Sequence, residues 1–375
     1  MKQILLIAFV ALLMSCQHQR DTYLITGNLT NIPDSSIINL YIDYGDMGKR
    51  IATDTVINGY FEFSDSLVKQ PSKMNLRMKD WQNFYGQCDL WVEHEKITVN
   101  GDGKYLATWQ VVSNIKEQIV LNKFVEATRT MDATIDSLSI ARMKSINNRE
   151  IASEMMHEID SLYKRKQNIE YDLIKENPNS RTALNKLYYK IKFDKSTPKE
   201  EVREIYNRID EEYKNTLHAQ GILTCLEDRK APEIGDKMID FVAHDTDGKN
   251  HSLSEYKGKY LLLDFWSMGC GPCMMAMPET KKLDSLNRDQ LCIIGLNMAS
   301  SEETWKDVSI KKNISWVNLS DGKSTFSGIS SVYGITAFPT YILIDPDGKI
   351  IDKWMGYSKG HLEEKLKKHI ENLKV

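Results

Sequence analysis

The sequence predicts an α/β chain in three parts: a small all-β unit over residues 21–104, an α-helical connector over 105–230, and a unit of alternating strands and helices over 231–375. Three observations carry that division. Short alternating runs flank Asn58-Gly59; residues 109–227 are charged, helix-forming and almost without glycine; and the apolar run Tyr260–Trp266 leads into Cys270-Gly271-Pro272-Cys273.

The opening residues read as a targeting segment, 1–16. Lys2 supplies a positive start and Ile4 to Met14 form an apolar core of eleven residues. That is too short to span a bilayer, which takes about twenty. In the β unit, "YLITGNLT", "SIINLYID" and "RIATDTVINGYFEFS" alternate with period two. Asn58-Gly59 predicts a two-residue hairpin, because both turn positions need positive φ. Trp81, Phe84, Tyr85 and Trp91 are read as packing its core rather than lining a binding surface.

In the connector, Asn177-Pro178-Asn179-Ser180 marks a break, after which Arg181 to Lys192 resumes helical spacing. Thr197-Pro198-Lys199-Glu200 predicts a capping box with proline first in the helix, and the helix is expected to run towards Cys225. About four helices are expected, with their mixed charges facing solvent. His157 and His218 stand singly and are read as solvated or hydrogen-bonded rather than metal ligands. Arg229-Lys230-Ala231-Pro232 is the expected junction to the last unit.

That unit reads as strand Tyr260–Trp266, helix from Cys273 to about Asn287, strand Leu291–Asn297, helix from Glu302 to Lys312, strand Thr340–Ile344 and helix from Gly360 to Leu373. Asp245-Thr246-Asp247-Gly248 and Asp345-Pro346-Asp347-Gly348 are predicted hairpin turns. Both are too short for a calcium loop of about twelve residues and lack its closing glutamate.

With 49 basic against 52 acidic residues, the chain offers no basic surface for nucleic acid or anionic lipid. Cys270 and Cys273 dominate the chemistry. A cysteine where a strand hands over to a helix sits among unpaired backbone N–H groups at the positive end of the helix dipole, which stabilise its thiolate. Structural zinc needs about four ligands, but Cys88, Cys225 and Cys292 are isolated and no suitably spaced histidine pair follows. A purely structural disulfide needs neither the apolar strand before the pair nor Phe338-Pro339-Thr340 after it. Cys292, inside Leu291 to Leu296, reads as a packed residue; Cys88 and Cys225 could pair in an oxidising compartment, but nothing in the sequence shows that they do.

Leu263 to Pro278 resembles thioredoxin, and residues 231–375 resemble the TlpA/ResA branch of thioredoxin-like proteins, through "APEIGD", "DGKNHSLSEYKGKYLLLDFW" and "YGITAFPTYILIDPDGKII". The resemblance implies a C-terminal thioredoxin-like fold and a thiol-disulfide oxidoreductase with no cofactor beyond a redox disulfide. Cys270 corresponds to the nucleophile, Cys273 to the resolving cysteine and Asp264 to the buried acid that takes the Cys273 proton. Pro339 corresponds to the cis-proline, which with Phe338 and Trp266 is expected to meet substrate. The β unit resembles a domain of unknown function that precedes thioredoxin-like modules in bacterial lipoproteins. Leu13-Met14-Ser15-Cys16 resembles a lipoprotein signal with Cys16 as the lipidated residue. These resemblances imply a periplasm-facing membrane lipoprotein of the cell envelope that exchanges disulfides with exported proteins and takes electrons from a membrane or periplasmic donor.

Three positions depart from the pattern. Gly269 replaces the tryptophan usual in thioredoxins, Ala276 replaces a glutamate of ResA-type proteins, and Gly295 stands where thioredoxin has a lysine beside the buried acid. Two other functions stay open at this level. One is a thiol peroxidase of the AhpC/TSA type, for which Ser267 is suitably placed but Leu263 stands where its proline belongs. The other is a non-enzymatic lipoprotein that binds through the β unit.

Overall fold

The structure, a computed structural model, describes residues 22–375 except 45–46, 67–70, 81–85, 104, 195, 228–229, 299–300 and 324. The targeting segment with Cys16, the aromatics Trp81, Phe84 and Tyr85, and Arg229 of the junction lie outside the described residues.

The first unit is a sandwich of two four-stranded sheets. Its strands are β1 (Tyr23–Thr30), β2 (Ile37–Tyr44), β3 (Met47–Thr55), β4 (Tyr60–Asp65), β5 (Ser72–Met78), β6 (Cys88–Val92), β7 (Lys96–Asp102) and β8 (Gln110–Val112). One sheet runs β4-β1-β7-β8 and the other β3-β2-β5-β6. Alternating residues of both sheets, including Ile25, Phe61 and Ile97 from one and Ile38, Leu76 and Leu90 from the other, close a single core. The Asn58-Gly59 turn is present, with φ of 50° and 73°. The unit runs past the expected boundary at 104. Strand β8 pairs antiparallel with β7, and Trp109 and Val111 are buried in the same core.

Six helices follow among the described residues: α1 (Lys116–Lys144), α2 (Arg149–Glu176), α3 (Arg181–Phe193), α4 (Lys199–Asn207), α5 (Glu211–Lys214) and α6 (Leu217–Leu226). Two expectations fail here. Pro198 is the N-cap of α4 rather than its first helical residue, and no side chain caps that helix. The helix ends at Asn207 instead of reaching Cys225. A separate helix, α6, starts where Thr216 Oγ1 accepts from the Ala219 N–H at 3.3 Å. Nor are all the charges on the surface. Glu117 is buried, and its carboxylate accepts from Ser180 Oγ at 2.7 Å, Arg181 N at 2.9 Å and Thr182 N at 3.3 Å. It thereby satisfies N–H groups at the start of α3, where the helix dipole favours an anion.

The last unit contains β9 (Val242–His244), β10 (Asn250–Ser252), β11 (Tyr260–Trp266), α7 (Gly271–Asn287), β12 (Leu291–Asn297), α8 (Glu302–Lys311), β13 (Val317–Leu319), α9 (Ile329–Val332), β14 (Thr340–Ile344), β15 (Ile350–Met355) and α10 (His361–Lys367). Its five-stranded sheet has the order β13-β12-β11-β14-β15, with β11 in the centre, parallel to β12 and antiparallel to β14. Leu262, Trp266, Ile293 and Tyr341 face one core, and Leu261, Leu263, Phe265 and Ile342 face the other. Both Asp-Gly turns are hairpin turns as expected: the Asp245 carboxylate accepts from the N–H groups of Asp247 and Lys249, and Asp345 accepts from that of Lys349. Strand β13 and helix α9 went unread because three- and four-residue elements carry too little periodicity.

The last unit is joined to the helices by Phe326. Its ring lies 4.8 Å from that of Tyr188 and 4.6 Å from that of His218, and the Tyr188 hydroxyl donates to Thr325 O at 2.9 Å. His218 is thus a packed, hydrogen-bonded residue, with Asn185 Nδ2 2.7 Å from its Nε2. Phe326 is 1 % exposed. Phe326→Ala should therefore lower the unfolding free energy of the full chain by about 3 kcal/mol, as for other buried aromatics. Urea titration read by tryptophan fluorescence measures this, and an unchanged midpoint contradicts the docking role.

Candidate active site

Strand β11 is buried on both faces, so its polarity and direction are fixed, and it delivers the chain at Trp266 to the end of the sheet where α7 begins. Two backbone bonds shape the handover. Met298 N–H donates to Trp266 O at 3.1 Å, and Cys270 N–H donates to Ser267 O at 3.2 Å. Cys270 is the N-cap residue of α7, with extended backbone, and its Sγ accepts from the Cys273 N–H at 3.1 Å. This is the position the sequence predicted for an activated sulfur, and the N–H that reaches it favours a thiolate there.

Cys270 and Cys273 are joined as a disulfide, the only one among the described residues. The two sulfurs differ in surroundings. Cys270 is half-buried beside exposed Gly271 and Pro272, whereas Cys273 is 3 % exposed and packs with Ala276, Met277 and Tyr341. Cys88 lies buried in β6 and Cys225 on α6, so they are not bonded to each other. Cys292 is half-buried against the sheet, and burial pushes its thiol up to about 11.

The Phe338–Pro339 peptide bond is cis. Pro339 precedes β14, neighbour of β11, and Phe338 is half-buried against the core cluster that also contains Cys270. The structure thus brings Cys270, Cys273, Phe338 and Pro339 to one end of the sheet. Trp266 does not join them. It is 2 % exposed, with its indole Nε1 donating to Asn318 Oδ1 at 3.3 Å, so it is a core residue rather than a substrate contact. The reason is its strand register: it shares the covered face with Leu262 and Asp264.

Asp264 is 6 % exposed, and burial pushes its carboxyl up to about 7. Its Oδ1 has no hydrogen-bond partner among the described residues. Gly295, in register with it on β12, leaves room that is filled from another strand. A Cβ there would lie 3.0 Å from Trp316 Nε1, 3.2 Å from Trp266 Nε1 and 3.3 Å from Asn318 Oδ1. Two indoles and an amide therefore occupy the space in which a lysine would approach the acid. Sequence reasoning missed Trp316 and Tyr341, both ordinary apolar-run residues by pattern, and Glu279. The Glu279 carboxylate accepts from Tyr357 Oη at 2.8 Å and from the Gly360 and Glu363 N–H groups at 2.9 Å, tying α7 to the start of α10.

The last unit is similar to known proteins. Residues 233–370 match the family model described as Redoxin. A thiol-disulfide oxidoreductase ResA of Bacillus thuringiensis is 33% identical over 139 residues, covering 36% of this chain and 78% of that protein. A thioredoxin-like protein of Bacillus subtilis is 32% identical over 136 residues, covering 35% of this chain and 78% of that protein. The thioredoxin domain of a thiol-disulfide oxidoreductase from Bacteroides vulgatus is 29% identical, with a TM-score of 0.35, and the match covers 38% of this chain and all of that one. The chain belongs to the thioredoxin-fold thiol-disulfide oxidoreductases, through its last unit, and is an enzyme of that class.

The buried acid makes stability depend on pH. Its folded value, about 7, lies above the ordinary 3.8, so the folded chain binds this proton more tightly than the unfolded chain. Stability is therefore lost as pH rises from about 4 through about 7, and below that window the two states are equally protonated. Relative to the parent, Asp264→Asn should gain on the order of 4 kcal/mol between pH 4 and pH 8. Urea unfolding of both proteins at the two pH values measures it; a difference that does not change with pH refutes the neutral buried acid.

Proposed function

We propose that this protein is a membrane-anchored, extracytoplasmic thiol-disulfide oxidoreductase that reduces disulfides of exported proteins through Cys270 and Cys273. The asymmetry of the pair carries the reading: Cys270 is open to a partner and receives a helix N–H, while Cys273 is enclosed beneath it. In the reduced enzyme the Cys270 thiolate attacks one sulfur of a partner disulfide, and the other partner sulfur leaves as a thiolate. Cys273 then gives its proton to Asp264 and attacks Cys270 Sγ. The mixed disulfide breaks, the partner departs with both sulfurs reduced, and the Cys270–Cys273 disulfide remains. A membrane or periplasmic thiol donor restores the pair. Phe338 and Pro339 lie just before β14, at the end of the sheet where α7 begins, and in this reading an extended partner segment pairs with the backbone there.

Cys273→Ser should accumulate mixed disulfides with exported proteins, and Cys270→Ser should trap almost none. Non-reducing gels followed by reduction read this directly, and trapping by Cys270→Ser in place of Cys273→Ser reverses the roles. Peroxide consumption by the reduced parent, in the absence of disulfide reduction, favours the peroxidase instead.

Anchoring rests on Cys16, at the end of a short apolar run and after a small residue. No helix among the described residues is long and apolar enough to cross a membrane; the anchor of this reading is lipid on that cysteine. One acyl chain binds only marginally, and lipoprotein anchoring uses several. Cys16→Ala should move the protein from the detergent to the aqueous phase; equal partitioning of variant and parent removes the anchor.

A further inference from the structure

Two buried polar groups stand side by side in the sheet of the last unit. Asp264 on β11 and Tyr341 on β14 are register partners in an antiparallel pair. Such partners project from the same face with Cβ atoms about 4.5–5.5 Å apart. Tyr341 is 0 % exposed, and neither its hydroxyl nor Asp264 Oδ1 has a hydrogen-bond partner among the described residues. Buried tyrosine hydroxyls ordinarily find one, and leaving a buried polar group unmatched costs about 1–3 kcal/mol. The ring is held by stacking on Trp354, 5.3 Å away at 24°. Tyr341 and Cys273 belong to the same apolar cluster.

The charged groups around this pair are engaged elsewhere, while Trp316 Nε1 and Trp354 Nε1 are further buried donors without a partner among the described residues. Gly295 on β12 brings no charge, and Trp316 and Asn318 fill the space beside it. On α7, the Glu279 carboxylate is engaged by Tyr357 and by backbone N–H groups at the start of α10. From α10, Lys365 lies 5.2 Å from the Trp354 ring and pairs with Asp352 at 3.3 Å, and the His361 ring meets Trp354 at 6.5 Å. Burial with the Asp264 charge beside it pushes the Tyr341 hydroxyl far above its ordinary value, so it keeps its proton.

We propose that Tyr341 is a positioning residue for the resolving step: its hydroxyl donates a hydrogen bond, through one bridging water, to the Asp264 carboxylate and so sets the pH at which Asp264 takes the Cys273 proton. This rests on Asp264 being the base for Cys273. The tyrosine loses no proton in the step. The Cys273 S–H bond breaks, the proton goes to Asp264, the new thiolate bonds to Cys270 Sγ, and the partner sulfur leaves with the electron pair of the broken mixed disulfide. A donor to the charged form lowers a carboxyl's pKa, so its removal raises it.

The experiment measures resolution of a preformed mixed disulfide between the full chain and a disulfide peptide, by rapid mixing from pH 5 to pH 9. In Tyr341→Phe, which keeps the ring against Trp354, the midpoint of the rate profile should rise by about one pH unit with the plateau at high pH preserved. Asp264→Asn should flatten the profile, and adding Tyr341→Phe to it should change nothing further. Carboxyl-carbon NMR of Asp264 in the reduced protein should show the same upward shift in Tyr341→Phe without turnover. If Asp264→Asn flattens the profile while Tyr341→Phe keeps the parent midpoint and carboxyl titration, the tyrosine pairing is overturned and the acid's role stands. If Asp264→Asn resolves with the parent profile, the reading beneath it fails. A plateau loss in Tyr341→Phe with no shift of either titration assigns the tyrosine to packing alone and likewise overturns the proposal.

Discussion

The site depends on the complete burial of β11 between β12 and β14. Residues Leu261, Leu262, Leu263 and Phe265 are each 0 % exposed, and fully burying a large apolar side chain contributes about 1.5–3 kcal/mol. A strand held on both faces and along both edges cannot slip, because a shift of one residue would exchange its two faces. That constraint places Cys270 at the mouth of α7 and Asp264 within the covered strand before it. One register thus sets both the half-buried sulfur and the buried acid.

The acid's surroundings show how a missing charge is accommodated. Where a lysine would approach, Gly295 admits the indoles of Trp316 and Trp266, and the carboxyl is left in an apolar setting. Desolvation alone then raises its pKa. An acid that titrates near neutral pH exchanges protons with a thiol more evenly than an ordinary aspartate does.

The upstream units are built onto the redox unit rather than strung before it. Glu117 and Gln118 on α1 reach in different directions: the glutamate closes the start of α3, and the Gln118 side chain accepts from Trp91 N–H in the β sandwich at 2.7 Å. Phe326, from the loop before α9, completes the helical core. A chain of packed contacts therefore runs from the sandwich through the helices to the unit that carries the disulfide.

The sequence by itself determined the division into β, helical and alternating parts, the strand before the cysteines, the place of Cys270 at a helix start and the Asn58-Gly59 turn. Each of these rests on neighbours along the chain, where periodicity and turn chemistry act. Only the tertiary structure decided that Trp266 is core, that α4 stops at Asn207, that the sandwich reaches β8 and that Glu117 is buried. Tyr341, Trp316 and Glu279 belong with them. Their roles come from strand register and helix docking between residues far apart in sequence, and no local pattern records which strand becomes whose neighbour.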